Sequence, residues 1–254
     1  MVTKLLTIRA QLAIHYSLQK IKNKDFTIIS DNCWGGNLYT QLKINYNTPT
    51  IGLGMGKHGY LNFIEKLNTP EATTFWQLSA DRCYPLNPKR IYPVGKTSLG
   101  TVHFLHYKEF DSAIRLFQIR YKKINWDNIF YKIDFELEFY TPEHIQRWND
   151  MKLPNSIAFY SNRVKKLWDG EIHNGVYIDK WEAGSSYIFG NFQDTFNYIE
   201  WLNTGRITTS FGYRMLSILL LNPTTPQKTI RLLKSIILKP LRVTRRSKAA
   251  VVSI

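Results

Sequence analysis

The chain has 254 residues, of which 44% are hydrophobic and 14% aromatic; this composition excludes a disordered protein and suffices for one large core. Two cysteines exclude a disulfide framework, and no run of about 18 apolar residues occurs, so we expect a reducing compartment and no membrane-spanning segment. The net charge of +15 is concentrated in residues 222–254, which carry eight Lys or Arg and leave +7 for the first 221 residues. This excess favours anionic partners.

The first predicted element is a basic amphipathic helix over residues 3–22, where apolar side chains recur at helical spacing. We assign residues 1–24 to this helix, either packed on the core or lying on a membrane. A short β-branched and aromatic run at residues 26–29 then predicts a buried strand, and residues 35–42 predict a helix.

Strands and helices alternate through the core domain that we place at residues 25–221. Further strands are predicted at residues 47–53, 91–94, 101–107, 128–135 and 156–160. Further helices are predicted at residues 59–67, 110–121, 141–148 and 193–202. This alternation predicts an α/β fold with a mostly parallel sheet flanked by helices.

The segment 222–254 is predicted to be a basic tail, with an amphipathic helix that ends before Pro240 and a flexible end beyond it. Two interpretations stay open: a surface helix attracted to an acidic membrane, or a solvated terminal helix. No helix-turn-helix, zinc-finger or RNA-recognition signature occurs, so we expect no specific nucleic-acid partner. The expected location is cytoplasmic, either free or peripheral at the inner face of the membrane.

The turn between the first core strand and its helix is the predicted functional site. Cys33 lies where the helix begins, so the helix dipole is expected to lower the pKa of its thiol. The neighbouring residues predicted to bind substrate are Ser30, Asn32, Trp34, Gly35 and Gly36. A lone cysteine is also a common buried packing residue, and that alternative stays open.

A nucleophilic thiol needs a base and a group that orients the base. His103 or His106 is the candidate base, and Asp127 is the candidate orienting residue. On a strand, residues three apart point to opposite faces, so the two histidines are not expected to share a metal or a substrate. We therefore predict no metal and no cofactor.

Two further residues are predicted to contact substrate. Lys57 lies in a glycine-rich stretch, residues 54–59, that matches a dinucleotide-binding pattern. The acidic residue that would bind the ribose of a dinucleotide is missing farther along the chain. We therefore expect only a weak contact of this stretch with phosphate. Tyr92 precedes the strand that leads to the histidines.

Five motifs follow one another in order at residues 26–36, 47–53, 92–95, 103–107 and 123–128. Together they resemble a bacterial family of exopolysaccharide-biosynthesis-type proteins, and the resemblance covers roughly residues 20–165. It implies an α/β domain and a role in surface-polysaccharide assembly. Asp31 and the glycine run at residues 54–59 depart from the family pattern.

The first hypothesis for function is acyl transfer to a capsular or exopolysaccharide glycan, with Cys33 as nucleophile and a histidine as base. The alternative is glycosyl or phosphoglycosyl transfer from a nucleotide-activated donor bound at the same helix start. The third is a non-catalytic component of a polysaccharide-assembly complex. The two enzymatic hypotheses require a glycan acceptor and an activated small-molecule donor as partners.

Overall fold

Two four-stranded sheets, one parallel and one antiparallel, organise the part of the chain that the structure describes. The computed structural model describes residues 2–78, 92–136, 140–178 and 195–221. The predicted basic tail therefore lies outside the described residues, as do residue 91 of a predicted strand and residues 193–194 of a predicted helix.

The parallel sheet has the strand order β1-β6-β7-β8. Its strands are β1 (Thr27–Ser30), β6 (Ile129–Asp134), β7 (Ser156–Tyr160) and β8 (Gly175–Tyr177). Layers of helices cover both faces, which explains why these strands are rich in apolar residues without strict alternation. The α/β fold with a parallel sheet flanked by helices is thus confirmed.

The second sheet is antiparallel, with the order β2-β5-β4-β3, and the sequence did not predict it. Its strands are β2 (Gly54–Met55), β3 (Trp76–Leu78), β4 (Val94–Thr97) and β5 (Gly100–His103). All four fall between β1 and β6 in the chain, so this sheet is an insertion between two adjacent parallel strands.

The strand predicted at residues 47–53 is wrong, because this segment forms turns. Thr48 Oγ1 donates to Ile28 O and accepts from the N–H of Thr50, so threonine side chains replace a strand ladder here. Gly52 has φ of +69°, a left-handed conformation that glycine adopts without strain. Only β2, directly after these turns, has strand pairing.

The helices form two layers on the parallel sheet. They are α1 (Val2–Lys20), α2 (Trp34–Leu42), α3 (Lys57–Glu65), α4 (Phe110–Tyr121), α5 (Pro142–Met151), α6 (Asn162–Leu167), α7 (Tyr198–Thr204) and α8 (Phe211–Leu216), which continues as a π-helix at Ser217–Leu221. The layer with α1, α2 and α7 covers one face, and α3, α4 and α5 lie with the antiparallel sheet on the other.

Candidate functional site

The turn from β1 to α2 lies at the carboxyl edge of the parallel sheet, where open α/β sheets bind ligands. Asn32 closes this turn, since its Oδ1 accepts the N–H of Trp34 at 3.0 Å. The Trp34 ring is fully buried and packs edge-on against Phe159 and Trp201. Trp34 therefore anchors the helix start in the core, and its fully buried side chain has no exposed surface for a ligand to contact.

Gly35 allows α2 to lie directly on β1. A Cβ at this position would stand 3.1 Å from Ile28 Cγ2 and 3.3 Å from Ser30 Cβ, tighter than ordinary side-chain contacts. Ser30 itself is buried, and its N–H donates to Thr50 Oγ1. Ser30 is thus a packing residue beneath the turn, although the sequence predicted a substrate contact.

Three hydrogen-bond donors at the start of α2 have no acceptor in the described part of the chain. The N–H groups of Gly35 and Gly36 belong to the first helical turn, which has no intrahelical partners. Asn32 is only 7% exposed, and its Nδ2 has no hydrogen bond. A buried donor without a partner is costly, so this group of donors is suited to an anionic ligand.

Cys33 lies within this turn, but its thiol is not activated. Burial raises the pKa of Cys33 to about 11, although the nearby Lys132 ammonium acts in the opposite direction. Its Sγ contacts Leu53 O at 3.7 Å. The expected lowering of the thiol pKa by the helix dipole is therefore wrong, because desolvation outweighs it.

A buried cluster of three charged side chains lies beside the same turn. Lys132 Nζ is 2.9 Å from Asp31 Oδ1 and 3.6 Å from Asp134 Oδ2, and all three side chains are at most 3% exposed. Residues two apart on a strand share a face, so Lys132 and Asp134 both project from β6 toward the layer that contains α2.

The pKa values of both carboxyl groups in this cluster are raised. Burial raises the pKa of Asp134 to about 7, against the attraction of Lys132, and burial also raises the pKa of Asp31. Asp31 Oδ2 accepts the backbone N–H of Asp134 at 3.0 Å. The cluster thus ties the end of β1 to the end of β6 and keeps an ammonium group near the start of α2.

Arg120 and two tyrosines form a rim beside α2 that the sequence analysis missed. Arg120 Nη1 donates to Tyr107 Oη at 2.6 Å, and Tyr107 donates in turn to Ile51 O. The guanidinium lies 5.3 Å from the ring centre of Tyr46, whose hydroxyl contacts Thr40 of α2 at 3.1 Å. Arg120 lies on a predicted helix, but nothing in the sequence indicated that α4 meets this turn.

His103 lies in the middle of the antiparallel sheet, paired with Gly54 and Val94. Its ring packs edge-on against Tyr92, with 5.8 Å between ring centres. Burial lowers the pKa of His103, which is 7% exposed, and its Nδ1 has no partner in the described ranges. Tyr92, two residues before β4, and His103, the last residue of β5, therefore contact each other at one end of these two strands of the second sheet.

His106 is exposed and lies beyond the end of β5, not on it. Its N–H donates to Gly52 O at 3.4 Å, next to the turns that precede β2. Within the described ranges, no hydrogen bond joins Cys33 to either histidine. The predicted thiol–imidazole pair is not assembled.

Asp127 lies at the opposite edge of the parallel sheet. It precedes β6, whereas Cys33 follows the carboxyl end of β1, and the six residues of β6 span roughly 20 Å. Its side chain is exposed in a turn where its N–H donates to Asn125 Oδ1. Asp127 therefore cannot orient a histidine at the Cys33 turn.

A histidine pair, also missed from the sequence, links the starts of α3 and α5. His144 Nε2 lies 3.0 Å from His58 Nδ1, and Thr141 donates its N–H to His144 Nδ1 at 3.3 Å. Lys57 is the first residue of α3, but its side chain lies outside the described residues, so the predicted phosphate contact is not described.

The described ranges contain neither a metal-binding cluster nor a membrane-spanning helix. No group of three or more His, Cys, Asp or Glu side chains in those ranges is arranged to hold a metal ion. None of the helices found there is long and apolar enough to cross a bilayer.

Comparison with known proteins gives a family but no reaction. A family model described as "Domain of unknown function (DUF1919)" matches residues 5–203. An uncharacterized protein of Haemophilus influenzae is 23% identical over 203 residues, which cover 77% of this chain and 93% of that protein. The matched region contains both sheets and the start of α2.

Proposed function

The chain belongs to the DUF1919 family, and we propose that it is a transferase which binds the diphosphate of a nucleotide-activated donor at the start of α2. The acceptor in this proposal is a bacterial surface glycan. The resemblance of residues 20–165 to exopolysaccharide-biosynthesis-type proteins supports that choice of acceptor. Glycosyl and phosphoglycosyl transfer both fit such a donor.

The observation that carries the proposal is the set of unpartnered donors at the helix start. Asn32 Nδ2 and the N–H groups of Gly35 and Gly36 lack acceptors in the described part of the molecule. Phosphate oxygens accept several hydrogen bonds, and the positive end of a helix dipole favours their charge. In glycosyl transfer the nucleoside diphosphate gains negative charge as its bond to the sugar breaks, and in phosphoglycosyl transfer the nucleoside monophosphate gains it as the bond between the two phosphates breaks. The same donors would stabilise the charge of either leaving group.

Two cations support an anionic ligand at this position. The Lys132 ammonium lowers the pKa of the Cys33 thiol and its partner Asp31 raises it, with the effect of the ammonium the larger, so the net field of this ion pair at the start of α2 favours an anion. Arg120 lies at the rim, held by Tyr107 and Tyr46, and a guanidinium can bind phosphate through two parallel hydrogen bonds.

The acyl-transfer hypothesis uses the same N–H groups as an oxyanion hole. It also requires a thiolate, and a thiol whose pKa is about 11 is almost entirely protonated at neutral pH. The candidate orienting residue Asp127 is at the other edge of the sheet. Diphosphate binding needs neither group, and for this reason we place it first.

The test is calorimetric titration of the full chain with UDP, GDP and inorganic pyrophosphate, followed by the corresponding nucleotide sugars. We expect binding of at least one diphosphate, and Asn32→Ala should weaken it by about ten- to a hundred-fold, since a hydrogen bond to a charged group is worth roughly 1.5–3 kcal/mol. Asn45→Ala, at an exposed position in the α2–β2 connection, is the matched control.

Cys33→Ala separates the two enzymatic hypotheses. Diphosphate binding should survive this substitution, whereas a covalent acyl mechanism requires the thiol. The proposal is overturned if no diphosphate binds at millimolar concentration, or if Asn32→Ala and Asn45→Ala bind equally well.

A further inference from the structure

The net charge of the protein lies entirely in two flanking segments. Residues 1–24 carry five Lys or Arg, residues 201–254 carry ten, and neither segment has an Asp or Glu. Residues 25–200 carry 19 basic and 19 acidic side chains, so they contribute no net charge. We call the two flanking segments together the basic flank.

The fold brings together the described portions of the basic flank, residues 2–24 and 201–221. Helix α1 packs against the π-helix at Ser217–Leu221, where Arg9 Nη2 donates to Ile218 O at 2.5 Å. At the other end of α1, Asn203 Nδ2 donates to Lys20 O and Asn203 Oδ1 accepts the N–H of Lys22. Residues 2–24 and 201–221, which are far apart in the chain, therefore lie side by side, and residues 222–254 follow this pair in sequence.

Aliphatic side chains are exposed on these two packed segments. Ile8 and Leu12 are 44% and 55% exposed, and because they are four apart they share one face of α1. Leu219, which is 56% exposed, follows the residue that Arg9 contacts. A surface that binds at the membrane interface has two components, exposed aliphatic side chains and an excess of positive charge, and both are present here.

We propose that the basic flank docks the protein on an anionic lipid bilayer. Ile8, Leu12 and Leu219 would enter the boundary between headgroups and acyl chains, while the Lys and Arg side chains remain among the anionic headgroups. Nucleic acid would match the charge, but it offers no apolar phase for exposed aliphatic side chains. The proposal does not depend on the reaction, because the start of α2 plays no part in it.

The test is co-sedimentation of the full chain with phosphatidylcholine vesicles that contain either no phosphatidylglycerol or 30% phosphatidylglycerol. We expect at least tenfold tighter binding to the anionic vesicles, and loss of most of that binding in 0.5 M NaCl because salt screens the headgroup charge. Equal binding to both kinds of vesicle would overturn the proposal. So would binding to duplex DNA without binding to anionic vesicles.

Matched substitutions test the apolar and the basic components separately. Leu12→Glu should weaken vesicle binding about tenfold, and Ile119→Glu should not, although Ile119 is 45% exposed on α4 in the neutral part of the chain. Arg245→Glu with Arg246→Glu should weaken binding more than Lys122→Glu with Lys123→Glu. If each pair of variants binds equally, the flank is not the docking surface, whatever the outcome of diphosphate titration.

Discussion

The two edges of the parallel sheet use polar residues in opposite ways. At the amino edge, Asp25 accepts from Asn47 Nδ2 at 2.8 Å and from Asn125 Nδ2 at 3.1 Å, and Asn128 donates to the Asp25 carbonyl. All four side chains have partners within this edge. At the carboxyl edge, Asn32 Nδ2 and two helical N–H groups lack acceptors in the described ranges.

This difference separates structural polar groups from groups available to a ligand. A polar network in which every group is hydrogen-bonded to another member stabilises the connections between strands, and it leaves no donor available to a ligand. A helix start that leaves buried donors without acceptors contributes less to stability and more to binding. By this criterion the amino edge is structural, and the carboxyl edge is the candidate site.

The largest expected effect is at the charge cluster of the carboxyl edge. Lys132→Met leaves Asp31 and Asp134 buried without their cation, and we expect the free energy of unfolding to fall by about 3–5 kcal/mol. Urea denaturation would measure this loss. Lys123→Met, at an exposed position after α4, should change it by less than about 0.5 kcal/mol. Equal stability of the two variants would mean that the cluster does not hold this edge.

The pH dependence of stability tests the same cluster more finely. The pKa of Asp134 is about 7 in the folded state and near 3.8 when unfolded, so between pH 4 and 7 the folded chain holds a proton that the unfolded chain has released. The free energy of unfolding should therefore fall as pH rises through this window, by up to about 1.4 kcal/mol per pH unit, and level off above pH 7.

Asp134→Asn should reduce this slope, since the amide does not titrate, and Asp31, whose pKa burial also raises, contributes the remainder. Denaturation of both proteins at pH 5, 6, 7 and 8 is the measurement. The same slope in both proteins would exclude Asp134 as its source.

A smaller effect distinguishes the two edges directly. Asn125→Ala removes the hydrogen bonds from Asn125 Nδ2 to the backbone carbonyl and to the side-chain carboxylate of Asp25. We expect the free energy of unfolding to fall by about 1–2 kcal/mol and the affinity for diphosphate to stay unchanged. Asn32→Ala, in contrast, should lower the affinity for diphosphate more than Asn125→Ala does. Diphosphate titration and urea denaturation of both variants are the measurements. Weaker diphosphate binding by Asn125→Ala would contradict the assignment of a purely structural role to the amino edge.

The smallest effect is expected at Asp127. Its side chain is exposed, and the hydrogen bond in its turn uses its backbone N–H, which survives substitution. Asp127→Ala should therefore change stability by less than about 0.5 kcal/mol and leave diphosphate affinity unchanged. A loss of transferase activity in this variant would restore the role that the sequence suggested.

Local patterns predicted the elements whose surroundings are regular. The helix predicted at residues 110–121 and the strand predicted at residues 156–160 match α4 and β7 residue for residue. The strand predicted at residues 47–53 failed because its Thr side chains bond to the backbone of β1, a contact that periodicity does not encode.

The site was predicted less well, because its geometry depends on long-range pairing. The sequence indicated the turn from Ser30 to Gly36, but the cluster with Lys132 requires knowing that β1 lies beside β6. Asp127 was assigned to the site as the carboxylate that could orient a histidine, and a strand's direction in the sheet decides at which edge such a residue falls. The pKa of Cys33 depends on burial, which its neighbours in sequence do not determine.

Because a whole antiparallel sheet is inserted between β1 and β6, the parallel pairing of these two strands forms late during synthesis of the chain. Asp31 and Lys132 are 101 positions apart, so during synthesis at about 5–20 residues per second the first parallel strand waits on the order of 5–20 s for its neighbour. Until then Asp31 has no ammonium partner and the apolar side chains of β1 have no adjacent parallel strand. The charge cluster beside the start of α2 can therefore form only after Lys132 has left the ribosome.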